Sequence, residues 1–205
     1  MRNDIKAIAW DFDGVLNRNI VNGRFLWSQT LEADLGISVE KFQEGIFGEQ
    51  FMPVITGERD LEAHVQDWLD LNGHGVKAST LLDYWFAKDD LQDPLTCGLL
   101  DQLAERDILQ VIATNNEARR AAYIEHQSGF GKRVSHIFSS GRIGRAKPDA
   151  AFFFEHVTDM IGVAPHEVLL IDDSATNVRT AEALGWKGSC FSEETRTELA
   201  FYLGL

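Results

Sequence analysis

The chain of 205 residues has only two cysteines, Cys97 and Cys190, and they stand far apart at no metal-ligand or redox spacing. Free, packed thiols are therefore expected. The six histidines do not cluster. No apolar run approaches the ~18 residues of a membrane span, and the opening MRNDIK leads into an apolar strand without a signal-peptide pattern, so a cytoplasmic protein is expected. Basic residues are scarce as well: 19 Lys and Arg against 32 Asp and Glu leave a formal charge of −13. Nucleic acids and anionic membranes need a basic surface, so neither is expected as a partner. A small phosphorylated substrate stays compatible, because charges are screened beyond ~8 Å at physiological salt and the local pattern governs a site. Arg142, Arg145 and Lys147 form the local exception, close together with no intervening acid. No repeat or low-complexity segment is present. With 44% apolar and 25% charged residues, the chain has the composition of a globular protein, either one large domain or a domain with an insertion.

The stretch IKAIAWDFDGVLN, residues 5–17, organises the rest. Ile5, Ala7, Ile8, Ala9 and Trp10 form a nearly unbroken apolar run, as expected of a strand buried on both faces of a parallel sheet. It ends in Asp11, Phe12, Asp13 and Gly14, which places two carboxylates at a strand's carboxyl end, where open α/β sheets bind ligands. The same residues also suit an acidic turn that merely leaves the core.

Further along, Asn22-Gly23 between short apolar segments predicts a tight hairpin. The period then becomes helical: Trp27, Leu31 and Leu35 before Gly36; Phe42 and Ile46 before Gly48; Leu61, Val65, Trp68 and Leu69 between Asp60 and Asn72-Gly73; and a short helix with Leu81 and Trp85. Residues 26 to about 88 read as a helical insertion, with KDDLQDP (88–94) as the exit linker. By spacing, Phe25, Trp27, Phe47, Phe51, Trp68 and Trp85 are mostly core, with one or two left to face a ligand. From Leu95 onward helices alternate with strands: a helix through Leu95, Leu99 and Leu103; the strand ILQVIA (108–113); a helix through Tyr123 and Ile124; a strand at 136–138; a helix from Phe153 to Ile161 closed by Gly162; the strand VLLI (168–171); a helix through Val178, Ala181 and Leu184 capped by Gly185; and an edge strand at 188–191. This order predicts an α/β protein with a doubly wound parallel sheet.

Three strands thus end in polar groups: Asp11 and Asp13, Thr114 and Asn115, Asp172 and Asp173. Lys147 precedes Pro148 in a loop. Each has an ordinary explanation taken singly. Thr114 and Glu117 fit a capping box, Asp172 and Asp173 suit a helix N-terminus, and Lys147 suits a solvated surface. Together they imply chemistry. Carboxylates ~4 Å apart repel by ~4 kcal/mol at an effective dielectric of ~20, so convergence on one edge requires a cation or protonation. Oxygen ligands alone favour magnesium.

DFDGVLN, ATNNE, RAKPD and LLIDDSATNVRTAEALGW resemble the four ordered motifs of the haloacid dehalogenase superfamily of hydrolases, and the helical insertion resembles that family's alpha-helical cap. The resemblance spans nearly the whole chain. It implies a Rossmann-like core at 1–17 and 93–205 with a cap at 18–92. It further implies that Asp11 forms an aspartyl-phosphate, that Asp13 is general acid then base, and that Thr114, Asn115 and Lys147 bind the phosphoryl group. Magnesium would be held by the Asp11 carboxylate, the Asp13 carbonyl and Asp173, with Asp172 assisting, and Asn115 and Asn177 would support by hydrogen bonds. Asp13 favours a phosphatase over a dehalogenase, since expelling an alkoxide needs an acid and expelling halide does not. GERDLEAHV (57–65) is similar to caps of sugar-phosphate phosphatases, so a magnesium-dependent phosphatase for a small, sugar-phosphate-like ester is expected, as a monomer or homodimer. Asn17, Arg18 and Asn19 depart from the family pattern, where acidic or small residues are common, and this bears on substrate preference. A phosphomutase shares both acids, and a silent binding protein shares the fold. A signalling receiver domain is disfavoured by the order of lysine and acid pair and by the insertion.

Overall fold

The computed structural model describes residues 4–21, 24–106, 108–149 and 153–205. Five parallel strands form the central sheet: β1 (Ala7–Trp10), β4 (Leu109–Thr114), β5 (His136–Ser139), β6 (Val168–Asp172) and β7 (Lys187–Cys190). Their spatial order is β5-β4-β1-β6-β7. The winding runs outward from β1 through β4 to β5, then returns to the other side of β1 at β6. β1 is therefore flanked on both sides by strands and lies at the point where the order reverses, where such sheets open a crevice at their carboxyl edge.

Side-chain alternation explains the apolar runs. Ile8 and Trp10 join Ile112, Leu169 and Ile171 in a core on one face, while Ala7 and Ala9 join Val111, Leu170, Phe154 and Trp186 on the other. Gln110 interrupts its strand without cost in satisfaction. Its carbonyl oxygen accepts from Trp10 Nε1 at 3.0 Å, and its amide donates to the Leu100 carbonyl at 2.7 Å. Cys97 is buried as expected, whereas Cys190 is exposed at the end of edge strand β7, so only one of the two thiols is packed.

A short antiparallel pair, β2 (Ile20–Val21) with β3 (Arg24–Phe25), stands where a hairpin is expected; its turn residues, Asn22 and Gly23, lie outside the described residues. The helices α1 (Leu31–Leu35), α2 (Val39–Ile46), α3 (Met52–Ile55), α4 (Leu61–Leu71) and α5 (Ala78–Asp89) follow. α4 starts at Asp60, whose carboxylate accepts from Ala63 N at 2.8 Å, a cap worth ~1 kcal/mol. These helices enclose a core of their own around Trp27, Phe42, Leu69, Leu81 and Trp85. α5 is not the short helix expected. It runs 12 residues to Asp89, so the connection back to the sheet shrinks to 90–93. Asp93 caps α6 (Pro94–Ala104).

The chain leaves the sheet and returns to it at one place. Arg18 N donates to Leu91 O at 2.8 Å, Asp93 N donates to Leu16 O at 2.9 Å, and Asn17 bridges Gln92. Helices α7 (Ala118–His126), α8 (Ser140–Ile143), α9 (Glu155–Ile161) and α10 (Ala175–Ala183) complete the sheet's flanks. A terminal helix, α11 (Leu199–Tyr202), that the sequence pattern does not announce seals one core with Leu199 and Leu203. Among the described residues no helix is long and apolar enough to cross a membrane.

Candidate active site

Strand register brings three of the polar strand ends together. Trp10 lies opposite Ile112 on β4 and Ile171 on β6, so Asp11 emerges between the ends of both neighbours. Asp11 N makes a last ladder bond to Ile171 O at 2.8 Å. Asp11 Oδ1 accepts from Phe12 N at 2.7 Å and lies 3.0 Å from Lys147 Nζ. Lys147 also donates to Asp172 Oδ2 at 2.6 Å, with its side chain only 1% exposed. It is an internal cation, not a surface one. Asn115 holds it there: its amide donates to Lys147 O at 2.8 Å and its carbonyl oxygen accepts from Lys147 N at 2.7 Å.

Asp172 is fully buried and already crowded with donors, since it accepts from Ser174 N at 2.8 Å and from Asn177 Nδ2 at 3.0 Å as well as from Lys147. Ser174 is the residue that caps α10, which removes the ordinary explanation of Asp172 and Asp173 as its cap. Asp173 is exposed and packs its carboxylate against Gly14. A Cβ at Gly14 would fall 2.4 Å from Asp173 Oδ2, and the backbone there has φ = 83°, so glycine is required twice over. Carboxylate oxygens of Asp11, Asp172 and Asp173 lie within 4.8 Å of one another.

Asp13 is oriented by three carboxamides. Oδ1 accepts from Asn19 at 2.8 Å and Asn17 at 3.2 Å, and Oδ2 accepts from Asn116 at 2.9 Å. Asn116 also donates to Thr114 Oγ1 at 2.8 Å, so it ties the first and second strand-end motifs together. Thr114 does not cap α7; Glu117 does so itself by accepting from Arg119 N and Arg120 N, so the capping-box explanation fails as well. Behind Asn19 stands a buried ion pair. Arg120 Nη2 donates to Asp89 Oδ2 at 2.8 Å, and Asp89 Oδ1 accepts from Asn19 Nδ2 at 2.9 Å. Beside Asp13 a cavity of about 120 Å³ lies between the helical segment and the sheet edge.

The supposed basic trio is not a patch. Arg142 pairs with Glu125 at 2.7 Å and Arg145 approaches Asp149 at 4.0 Å, both outside the cluster that encloses Lys147. The pattern along the chain missed Asn116, Asp89 and Arg120. Asn116 adjoins a strand-end motif, which is a usable signal; Asp89 and Arg120 sit on amphipathic helices, where charges ordinarily face water.

Electrostatics follow from burial. Desolvation pushes Asp11 up to about 8, with Asp172 and Asp173 adding to the rise and Lys147 opposing it. Burial pulls the Lys147 ammonium down, but the Asp11 and Asp172 carboxylates more than restore it, leaving it above the ordinary lysine value. Lys147 is thus favoured in its charged form beside Asp172, its closer partner, while burial favours the neutral form of Asp11. Burial, with Asp13 adding to it, likewise pushes Asp89 up to about 8. An unfolded chain releases these protons above 3.8, the ordinary value, so the folded form binds more protons from there to about pH 8. Stability without added cations should accordingly fall as pH rises through that window, in a thermal unfolding series from pH 5 to about 8. A flat or rising midpoint would show that these carboxylates are ionised in the cation-free protein.

The donor set is all oxygen and anionic, with an exposed carboxylate on one side and a buried one on the other. That suits a small hard divalent cation that retains some of its water. A carboxylate beside a fixed ammonium, with a second carboxylate two residues on, also equips a site for nucleophilic attack by the first carboxylate with acid–base assistance from the second. The chain belongs to the haloacid dehalogenase-like hydrolases, whose family model matches residues 5–185. Flavin mononucleotide hydrolase 1 of Arabidopsis thaliana, a chloroplastic protein, is 32% identical over 125 residues, or 61% of this chain and 48% of that protein. The chain spans about half or less of the length of the curated relatives it matches. A predicted haloacid dehalogenase-like hydrolase from Porphyromonas gingivalis shares the fold at TM-score 0.77 and 21% identity, over 97% of this chain and 98% of that one. So does an enzyme of the same family from Bacteroides thetaiotaomicron solved with magnesium and inorganic phosphate, at TM-score 0.73 and 21% identity over 92% and 94% of the two chains.

Proposed function

We propose that this hydrolase is a magnesium-dependent phosphatase acting on a small phosphate monoester, with residues 18–92 as its cap and 1–17 with 93–205 as its core. The observation that carries this is Asp13, two residues beyond Asp11 and held by three carboxamides at the mouth of the cavity.

In the first displacement an Asp11 oxygen forms a bond to phosphorus as the bond to the leaving oxygen breaks, and Asp13 gives that oxygen its proton. In the second, Asp13 takes a proton from water, the water oxygen bonds to phosphorus, and the Asp11–phosphorus bond breaks. The sum is ester plus water to alcohol plus phosphate. Lys147 and Thr114 hold the phosphoryl oxygens, and Asn115 contributes through its grip on the Lys147 backbone. Asp11, Asp173 and the Asp13 carbonyl would bind magnesium; Asp172, occupied by Lys147 and Asn177, acts mainly as the anchor of the lysine. Bound magnesium supplies positive charge that ionises Asp11 and offsets the charge of the phosphoryl group. Closure of the cap excludes bulk water. A cytoplasmic location belongs to the same proposal.

The test is phosphate release from a generic aryl phosphate with and without magnesium. Turnover only with the cation is expected, and normal folding without turnover in either condition would favour a binding protein. In that assay Lys147→Ala should lose at least ~10²-fold, in line with removal of one transition-state donor, while Arg142→Ala stays within about twofold. Equal losses would mean that Lys147 belongs to a diffuse basic field.

A further inference from the structure

We infer that the cavity beside Asp13 receives an apolar leaving group about the size of one ring or a five-carbon branched chain. This rests on the phosphatase assignment and narrows its substrate class away from the sugar phosphates expected from the sequence.

The wall of the cavity is a set of packed rings: Phe25, Phe47, Phe51, Trp85 and Phe86. Phe47 is their hub. It stacks on Phe25 at 6.0 Å and meets Phe51 and Trp85 edge-on at 4.9 and 5.3 Å, and Trp85 meets Phe86 at 5.6 Å. Rings that brace one another this way hold their positions before a ligand arrives. Ile55 and Leu61 complete the apolar lining.

The charged and carboxamide side chains that line the cavity have partners, and the one unpartnered polar atom of its ring wall, Trp85 Nε1, is buried. Arg120 and Asp89 bind each other, Asn116 binds Asp13 and Thr114, Asn115 binds the Lys147 backbone, and Glu117 caps α7. A sugar placed here would leave hydroxyls unpaired against rings, at roughly tenfold or more in affinity for each. An apolar group meets no such obstacle, and an aromatic or branched aliphatic group fills the space. The volume of about 120 Å³ compares with the roughly 150 Å³ of an apolar protein cavity that accommodates benzene. It is too small for a fused tricyclic group in this arrangement. Asp13 belongs both to the cavity lining and to the strand-end cluster, so an alcohol oxygen within its reach carries its substituent into the rings.

The experiment compares kcat/KM for phenyl phosphate, 3-methylbutyl phosphate, glucose 6-phosphate and acetyl phosphate, all with magnesium. Phenyl or 3-methylbutyl phosphate should exceed glucose 6-phosphate on the order of 10²-fold, and the ratio of the first two separates a planar aromatic source from a branched aliphatic one. Phe51→Ser, in a half-buried wall position, should shrink the advantage on the order of tenfold, mainly through KM. Glucose 6-phosphate turned over as well as either apolar ester would overturn the inference. Failure of all four compounds would instead overturn the phosphatase assignment. The cavity is then still tested by thermal shift: phenylphosphonate should raise the unfolding midpoint more than methylphosphonate does, and equal shifts would overturn it.

Discussion

Asp11→Asn should reduce phosphate release by at least ~10⁴-fold while leaving the fold intact and, without added cation, more stable at pH 8 than the parent chain. The two effects share one cause. Asp11 is held in a cluster with Asp172 and Asp173 whose carboxylate oxygens lie within 4.8 Å of one another, with the buried Lys147 as their common cation. Burial raises Asp11 to about 8, so ionising it costs the folded state free energy that a neutral amide does not. The amide also lacks the charge needed to attack phosphorus. The fall in stability between about pH 4 and 8 should therefore flatten in this variant, since one of its two sources is gone. Magnesium should recover stability at pH 8 in the parent more than in Asp11→Asn. Turnover retained in the variant would remove Asp11 from the nucleophile's place.

At pH above about 8, where Asp89 is ionised, Arg120→Met should destabilise the protein by ~3–5 kcal/mol, the usual cost of orphaning one member of a buried ion pair. Both side chains of the pair are 4% exposed, and the guanidinium lies 5.2 to 5.9 Å from the ring centroids of Phe86, Tyr123 and Phe12. For a chain of this length the loss corresponds to roughly 6–20 °C in the unfolding midpoint. The double variant Arg120→Met with Asp89→Leu should regain much of it, because apolar pairs of similar volume commonly match a buried salt bridge. Activity should not return in parallel. Asn19 donates both to Asp89 and to Asp13, so loss of Asp89 releases one restraint on the proposed general acid. A double variant as unstable as the single one would locate the penalty in lost packing around the guanidinium instead.

The parallel sheet was legible because strands buried on both faces leave unbroken apolar runs, and each run here ends in a polar signature. Asp11, Thr114 and Asp172 converge because register in a parallel sheet aligns the strand ends; Lys147 joins them from a loop, and its burial had no local sign. Sequence proximity misled at Arg142 and Arg145, since three basic residues within six positions take separate partners once α8 and the following loop turn them apart. The capping explanation fails at Thr114 and at Asp172 for a related reason. Residues at strand ends read as helix caps, yet their side chains serve neighbouring strands, and the next available acid or hydroxyl, Glu117 or Ser174, takes up the helix. Asp89 looked like the start of an acidic linker, and only tertiary contact with Arg120 distinguishes it from a solvated charge.

The backbone contacts joining Arg18 to Leu91 and Leu16 to Asp93 have a thermodynamic corollary. Because the outgoing and returning strands are already clasped, the sheet experiences everything between them as a closed loop whose ends lie a few ångströms apart. Doubling the length of such a loop adds only ~0.6 kcal/mol of closure entropy. The seam can thus host helical segments of quite different length at little expense to the strands beneath, leaving the excursion free to diversify while the carboxylates stay where they are.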